Sequence, residues 1–242
     1  MLKAFFRSIL GPVTMGKMDY YRQPQWRDSW GGAFNGQEFR TAMFHEIVQA
    51  CDCQAIVETG TFRGSTTELF AATELPVYTT EGHERTYGFA KIRLQKHENA
   101  KVFLTDSRLF LKRLQRDDEF SDANVFYYLD AHWNEDLPLE EELETIFSSN
   151  TKAVIMVDDF QVIDDPGYTF DDYGPGKALT LEYLQATAKR FQPQMYFPSK
   201  DSEQETGLKR GSIVLCADDE LNSKLQGCQT LRGVDLKRFA TV

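Results

Sequence analysis

Short runs of consecutive apolar residues alternate along the chain with segments whose apolar positions recur every three to four residues. Ala55-Ile56-Val57, Val77-Tyr78-Thr79-Thr80, Val102-Phe103-Leu104, Val125-Phe126-Tyr127-Tyr128-Leu129 and Ala153-Val154-Ile155-Met156-Val157 read as strands. Residues 66–72, 87–97, 107–114 and 139–147 read as the helices between them. Phe39, Met43, Phe44, Ile47 and Val48 place one more helix over 36–51, ahead of the first strand. Five strand-then-helix units with uninterrupted apolar strands predict a parallel sheet covered on both faces. The fold class is therefore α/β: a Rossmann-like, doubly wound, mostly parallel sheet in three αβα layers. After the Asp-, Gly- and Tyr-rich loop 158–176, a helix over 178–190 and strands over 194–197 and 211–216 predict an antiparallel C-terminal hairpin. Residues 1–34 read as an irregular aromatic arm that covers a site, opening with a short docking helix over 1–10. Residues 35–242 read as a single Rossmann-like domain, because no repeat or linker divides them.

Composition narrows the function classes. Of the 242 residues 41% are hydrophobic and 13% aromatic, enough for a packed core. The formal net charge is -10, which argues against nucleic acid or an anionic membrane as the main partner. The apolar run at Met1–Leu10 is interrupted by Lys3 and Arg7 and is too short for a signal peptide or a membrane span. Cys51, Cys53, Cys216 and Cys228 form no CxxC pair, so they read as reduced thiols of a cytoplasmic protein.

Each predicted strand runs into an acid: Glu58, Glu81, Asp106, Asp130 and Asp158. In a doubly wound sheet, ligands bind outside the carboxyl ends of the strands, so these acids face one crevice. The first strand continues as Glu58-Thr59-Gly60-Thr61-Phe62-Arg63-Gly64-Ser65-Thr66. Gly60 and Gly64 allow close backbone approach, and Ser65 or Thr66 opens a helix whose N-terminus favours a carboxylate. This spacing is not GxGxxG, and an acid ahead of the glycines suits a cationic amine better than a pyrophosphate. Glu81 stands where α/β nucleoside sites bind ribose hydroxyls, and Asp106-Ser107 where an adenine edge is read. Helix capping is the competing reading for each acid taken singly.

Asp130 and Asp158 end adjacent strands in this topology, and Asp159 follows. Three hard oxygen donors on one rim suit Mg2+ or a similar divalent cation. A solvated acidic loop is the alternative. His132, beside Asp130, is a candidate general base, with a core histidine as its competing reading. Tyr168, Phe170 and Tyr173 on the loop after the fifth strand, and Trp26, Trp30 and Phe34 on the arm, are candidate walls of an acceptor pocket. Gln37 and Arg40 are placed to reach a cofactor carboxylate.

Over roughly residues 36 to 190, the Glu-Thr-Gly-Thr-Phe-Arg-Gly-Ser segment, Glu81 and Thr105-Asp106-Ser107 together resemble class I S-adenosylmethionine-dependent methyltransferases. The resemblance implies that S-adenosyl-L-methionine is held by Glu58, Thr59, Gly60, Thr61, Gly64, Ser65, Thr66, Glu81, Asp106, Ser107 and Asp130. The set Asp130, Asp158 and Asp159 is similar to the metal site of catechol-type O-methyltransferases. It is also similar to that of bacterial sugar and macrolide O-methyltransferases and of the cephalosporin-hydroxylase-like group. In those enzymes the base follows the first metal aspartate by three residues. That position here is Trp133, and His132 lies one residue earlier.

The expected activity is methyl transfer to a small hydroxylated acceptor, with Asp130 and His132 as the catalytic pair. A diverged hydroxylase-like enzyme and a non-catalytic nucleoside-binding module are the alternatives, and homo-oligomerisation is left open.

Overall fold

A computed structural model describes residues 10–116, 120, 122–133 and 136–234. The docking helix expected over 1–10 falls almost wholly outside these residues. The elements run in the order α1 (Pro12–Arg22), α2 (Glu38–Ala50), β1 (Ala55–Thr59), α3 (Ser65–Ala71), β2 (Val77–Glu81), α4 (Glu84–Arg93), β3 (Ala100–Leu104), α5 (Ser107–Leu114) and β4 (Val125–Leu129). There follow α6 (Leu139–Ser149), β5 (Ala153–Asp158), α7 (Gln185–Phe191), β6 (Gln194–Pro198), β7 (Ser212–Cys216), α8 (Asp219–Leu225) and β8 (Leu231–Gly233). Short 3-10 turns join α1 to α2.

The strands form one sheet in the order β3-β2-β1-β4-β5-β7-β6-β8. β1 to β5 pair in parallel. β7 runs antiparallel between β5 and β6, and β8 pairs antiparallel with β6. The expected C-terminal hairpin is present, but the later strand of the pair lies next to the parallel half, so residues just before β7 land beside the end of β5.

The apolar strands are buried because each face carries its own core. Ala55, Val57, Val125, Tyr127, Leu129, Ile155 and Val157 pack towards Leu111, Leu143 and Ile146 of α5 and α6. The alternate residues Ile56, Phe126, Tyr128, Val154 and Met156 pack towards Met43, Phe44 and Ile47 of α2, Phe70 of α3 and Leu221 of α8. Strand residues alternate between faces, so a continuous apolar run is what a sheet covered on both sides requires.

The arm departs from the expected irregular segment. Pro12–Arg22 is a helix that packs on α4. A Cβ at Gly16 would lie 1.8 Å from the Arg85 carbonyl oxygen, and one at Gly88 2.1 Å from that of Val13, so the two backbones meet directly. Asp19 and Arg85 close this contact with an ion pair at 2.6 Å. The helix expected over 178–190 is confined to Gln185–Phe191. The backbone ahead of it is already committed: Leu179 N–H donates to the Asp171 carbonyl, and its own carbonyl accepts from Gln161. No helix among the described residues is long and apolar enough to cross a membrane.

Candidate functional site

The strand order turns outward on either side of the β1–β4 pair, and the loops leaving these two strands form the switch point where such sheets bind ligands. The loops touch backbone to backbone. Gly60 has φ +89, and a Cβ there would sit 2.2 Å from the Asp130 carbonyl oxygen. Only glycine fits both the conformation and the space. Gly60 and Thr61 N–H groups donate to the Thr80 carbonyl, and Gly64, at φ +76, is the N-cap of α3.

A cavity of about 820 Å³ opens above these loops. Its size lies within the usual range for small-molecule and cofactor sites. Glu58, Gly60, Thr61, Ser65 and Thr66 form its β1 side. Glu81 comes from β2, Asp106 and Ser107 from the β3 end, Asp130 and His132 from the β4 end, and Asp158 and Asp159 from the β5 end. Thr59 and Gly64 stand behind this wall, Thr59 fully buried on β1.

Glu58 is buried and accepts hydrogen bonds from Thr67 and Thr79, each at 2.5 Å. Burial pushes its carboxyl up to about 7 in spite of those donors. Glu81 accepts from the His83 N–H at 2.7 Å and is raised by burial as well. Asp106 caps α5 through the Arg108 and Leu109 N–H groups. It also pairs with the Arg108 guanidinium, which lowers its pKa and reaches on to Asp136. Asp106 therefore combines both readings, helix cap and cavity wall.

The β4 and β5 ends sort the aspartates differently from expectation. Asp158 is buried, ion-paired to Arg40 and bonded to the Tyr128 hydroxyl. Burial works most strongly against the charge of Arg40, but Asp158, Tyr128, Asp159 and Glu205 together outweigh it and raise the arginine's pKa. Both Asp158 oxygens are thus engaged on the protein side, and Arg40 is not free for a cofactor carboxylate. Gln37 is likewise taken by the Arg210 backbone, with contacts of 3.0 Å in each direction.

His132 stands where Asp158 was expected. Its Nε2 lies 3.8 Å from Asp130 Oδ1 and 3.9 Å from Asp159 Oδ2. The histidine side chain is 2% exposed, and Nε2 has no hydrogen-bond partner. These separations are too long for hydrogen bonds. They fall within the roughly 4.2 Å that two donors each about 2.1 Å from a shared ion can span. Asp130, His132 and Asp159 are also the one group among the described residues with the spacing of a metal site.

Burial and the neighbouring Asp158, Asp159 and Glu58 charges push Asp130 well above the usual carboxylate range. Burial opposes the charge of Asp159 too, but His132 and Arg210 outweigh it and hold that carboxyl at about 2. The backbone of Asp159 sits at φ +52, a strained conformation for a non-glycine residue.

Arg210 and Asp171 were not recognisable as site residues from sequence. Arg210 Nε donates to Asp159, and its Nη2 to Asp171. Asp171 Oδ2 lies 3.9 Å from His132 Nε2. Arg210 reaches the site because the register sets Ser212 opposite Asp158 at the end of β5. Of the proposed acceptor aromatics, Trp30, Phe34 and Tyr173 line the cavity. Tyr168 is buried with its hydroxyl on the Lys200 carbonyl, and Trp26 lies under the Arg63 guanidinium. Neither these two nor Phe170 is on the cavity wall.

The fold is that of class I S-adenosylmethionine-dependent methyltransferases. The O-methyltransferase TomG from Streptomyces achromogenes, solved with S-adenosylmethionine, superposes with a TM-score of 0.57 over 89% of this chain and 95% of its own, at 16% identity. An O-methyltransferase from Bacillus cereus, solved with S-adenosylhomocysteine, gives 0.54 over 74% of this chain and 80% of its own, at 17% identity. The methyltransferase domain of bacterial CtHen1 gives 0.51 over 74% and 98%, at 14% identity. No protein-family model and no curated protein matches the sequence.

Proposed function

We propose that this chain is an S-adenosylmethionine-dependent O-methyltransferase for a small hydroxylated acceptor, with Asp130, His132 and Asp159 holding a divalent cation. The observation that carries the reading is the continuity of one cavity. It runs from the glycine turn and Glu81, where the structural neighbours' cofactor type would sit, to a buried, unpartnered His132 Nε2 facing two carboxylates.

The residues fit both groups. Gly60 lets the β1 turn close directly on the β4 loop at the cavity wall, Glu58 and Glu81 offer acceptors to an amine and to ribose hydroxyls, and the Asp/His donor set suits a borderline or hard cation. When bound, the sulfonium supplies the methyl group and the cation lowers the acceptor hydroxyl's pKa. The chain's own work is alignment and proton handling. Asp130 lines the cavity with 34% of its side chain exposed, able to orient the acceptor oxygen. Arg210 fixes Asp159 and Asp171 in position through hydrogen bonds.

One observation favours a second reading. Arg210 already supplies positive charge to two of the clustered carboxylates, so the site could work without metal and use His132 as the general base.

Titration calorimetry separates the two. S-adenosylhomocysteine binds the wild type in either case. The metal reading expects Mn2+ or Mg2+ to bind, and His132→Ala to lose the cation while keeping the nucleoside. Nucleoside binding with no cation binding leaves the metal-free enzyme. Absence of nucleoside binding defeats the methyltransferase reading altogether.

A further inference from the structure

The arm and the glycine turn are built as one unit. Arg63, inside the turn, donates to Ser29 Oγ and lies 4.4 Å over the Trp26 ring. Arg93 of α4 donates to the Arg63 carbonyl at 3.1 Å and to the Arg27 carbonyl. The Phe34 N–H donates to Thr66 Oγ1 at 3.3 Å. Between these ties the Trp30 indole stacks on the Phe62 ring, with centroids 4.9 Å apart and planes 10° from parallel. Both residues hold positive φ, +54 and +48, which such side chains rarely adopt.

The stack is only half satisfied. Phe62 covers one face of the indole, yet Trp30 is 52% exposed and lines the cavity. Phe62, on which it stacks, lines the same cavity, as does Glu81, the acid at the end of β2. A large planar side chain, fixed by its neighbours beside a ribose-type acid, is suited to packing against a nucleoside. Stacking of this kind requires a π-face and no hydrogen-bond code.

We infer that Trp30 is a cofactor-binding residue, its indole packing on the nucleoside of S-adenosylmethionine with Phe62 as the backing wall. This rests on the methyltransferase reading and moves Trp30 from the acceptor pocket to the cofactor side. The same contact explains why the arm is pinned to the glycine turn: the turn and its cover then hold the ligand between them.

The test is binding of S-adenosylhomocysteine and of adenosine, followed by calorimetry and by tryptophan emission. Both ligands quench wild-type emission. Trp30→Ala weakens S-adenosylhomocysteine by roughly tenfold or more, the size expected for one aromatic–base stack. Trp30→Phe restores affinity to within about threefold but loses most of the quench, while Trp133→Phe keeps it. Should Trp30→Ala fold poorly, the Trp30→Phe emission result decides alone. Wild-type-like affinity in Trp30→Ala, or a full quench in Trp30→Phe, overturns the inference and leaves the methyltransferase reading standing. A wild type that binds neither ligand defeats both.

Discussion

Arg40 and Asp158 show how much a single partner matters in this interior. Both side chains are 2% exposed. Two charges removed from water are tolerable only while each neutralises the other. Removing one leaves a buried, uncompensated charge. Arg40→Ala is therefore expected to lower the unfolding free energy in urea by about 3–5 kcal/mol. The double variant Arg40→Met with Asp158→Leu recovers most of that loss, because it removes the second charge as well. Failure of the double variant to recover would show that the pair serves something other than mutual compensation. The same pair marks the limit of what could be read from residues alone. That five acids end five strands on one rim was legible, because strand direction and alternation fix it. Which carboxylate meets an arginine was not, since Arg40 lies on a helix far away in sequence and reaches Asp158 only through tertiary packing. His132 was legible as chemistry-bearing; that it stands with Asp130 and Asp159 where Asp158 was expected came from geometry.

Elements with a clean period were legible almost to the residue. Ser107–Leu114 and Val125–Leu129 lie where the apolar pattern puts them. The elements that escaped lack that signal. α1 carries Gly16 and Lys17 in its middle and buries Gly16 and Asp19, so its contact face does not look apolar. α8 is seven residues long, and β8 is three. α1 is held by shape, through glycines that let it lie directly on α4. Gly16→Val forces a side chain into the Arg85 carbonyl, where a Cβ alone would be 1.8 Å away. The expected cost is about 1–3 kcal/mol, the usual range for overpacking. Because α1 packs mainly on α4, the loss should be local. Hydrogen exchange should speed up over 12–22 while β1, β4 and β5 keep their protection. Uniform loss of protection across the sheet would show instead that α1 is integral to the core.

At the scale of the whole molecule, concentrating acids on one edge of the sheet makes stability depend on pH in a specific direction. Glu58 in the cavity wall and Glu142 of α6, which is buried beside Ser107, Thr59 and His132, are both pushed by burial from near 4.5 to about 7. Between those two values the unfolded chain has released protons that the folded chain still holds. The unfolded state then binds fewer protons, so stability falls as pH rises through this window and levels off above about 7. Asp159 acts in the opposite sense: its carboxyl is held at about 2, below the ordinary 3.8, so its contribution is present above 3.8 and is lost as pH falls towards 2. The two trends place the stability maximum on the acid side of neutrality. The slope from one raised carboxyl is at most about 1.4 kcal/mol per pH unit. Glu142 is the better group to test, because it lies behind the cavity wall. Glu142→Gln keeps the shape and removes the titration, so its urea unfolding free energy should change less between pH 5 and pH 7.5 than that of the wild type. The difference should amount to about 3 kcal/mol or less. An unaltered slope in Glu142→Gln would mean that Glu142 is already ionised in the fold. Its charge would then be held by Ser107, Thr59 and His132 in spite of burial.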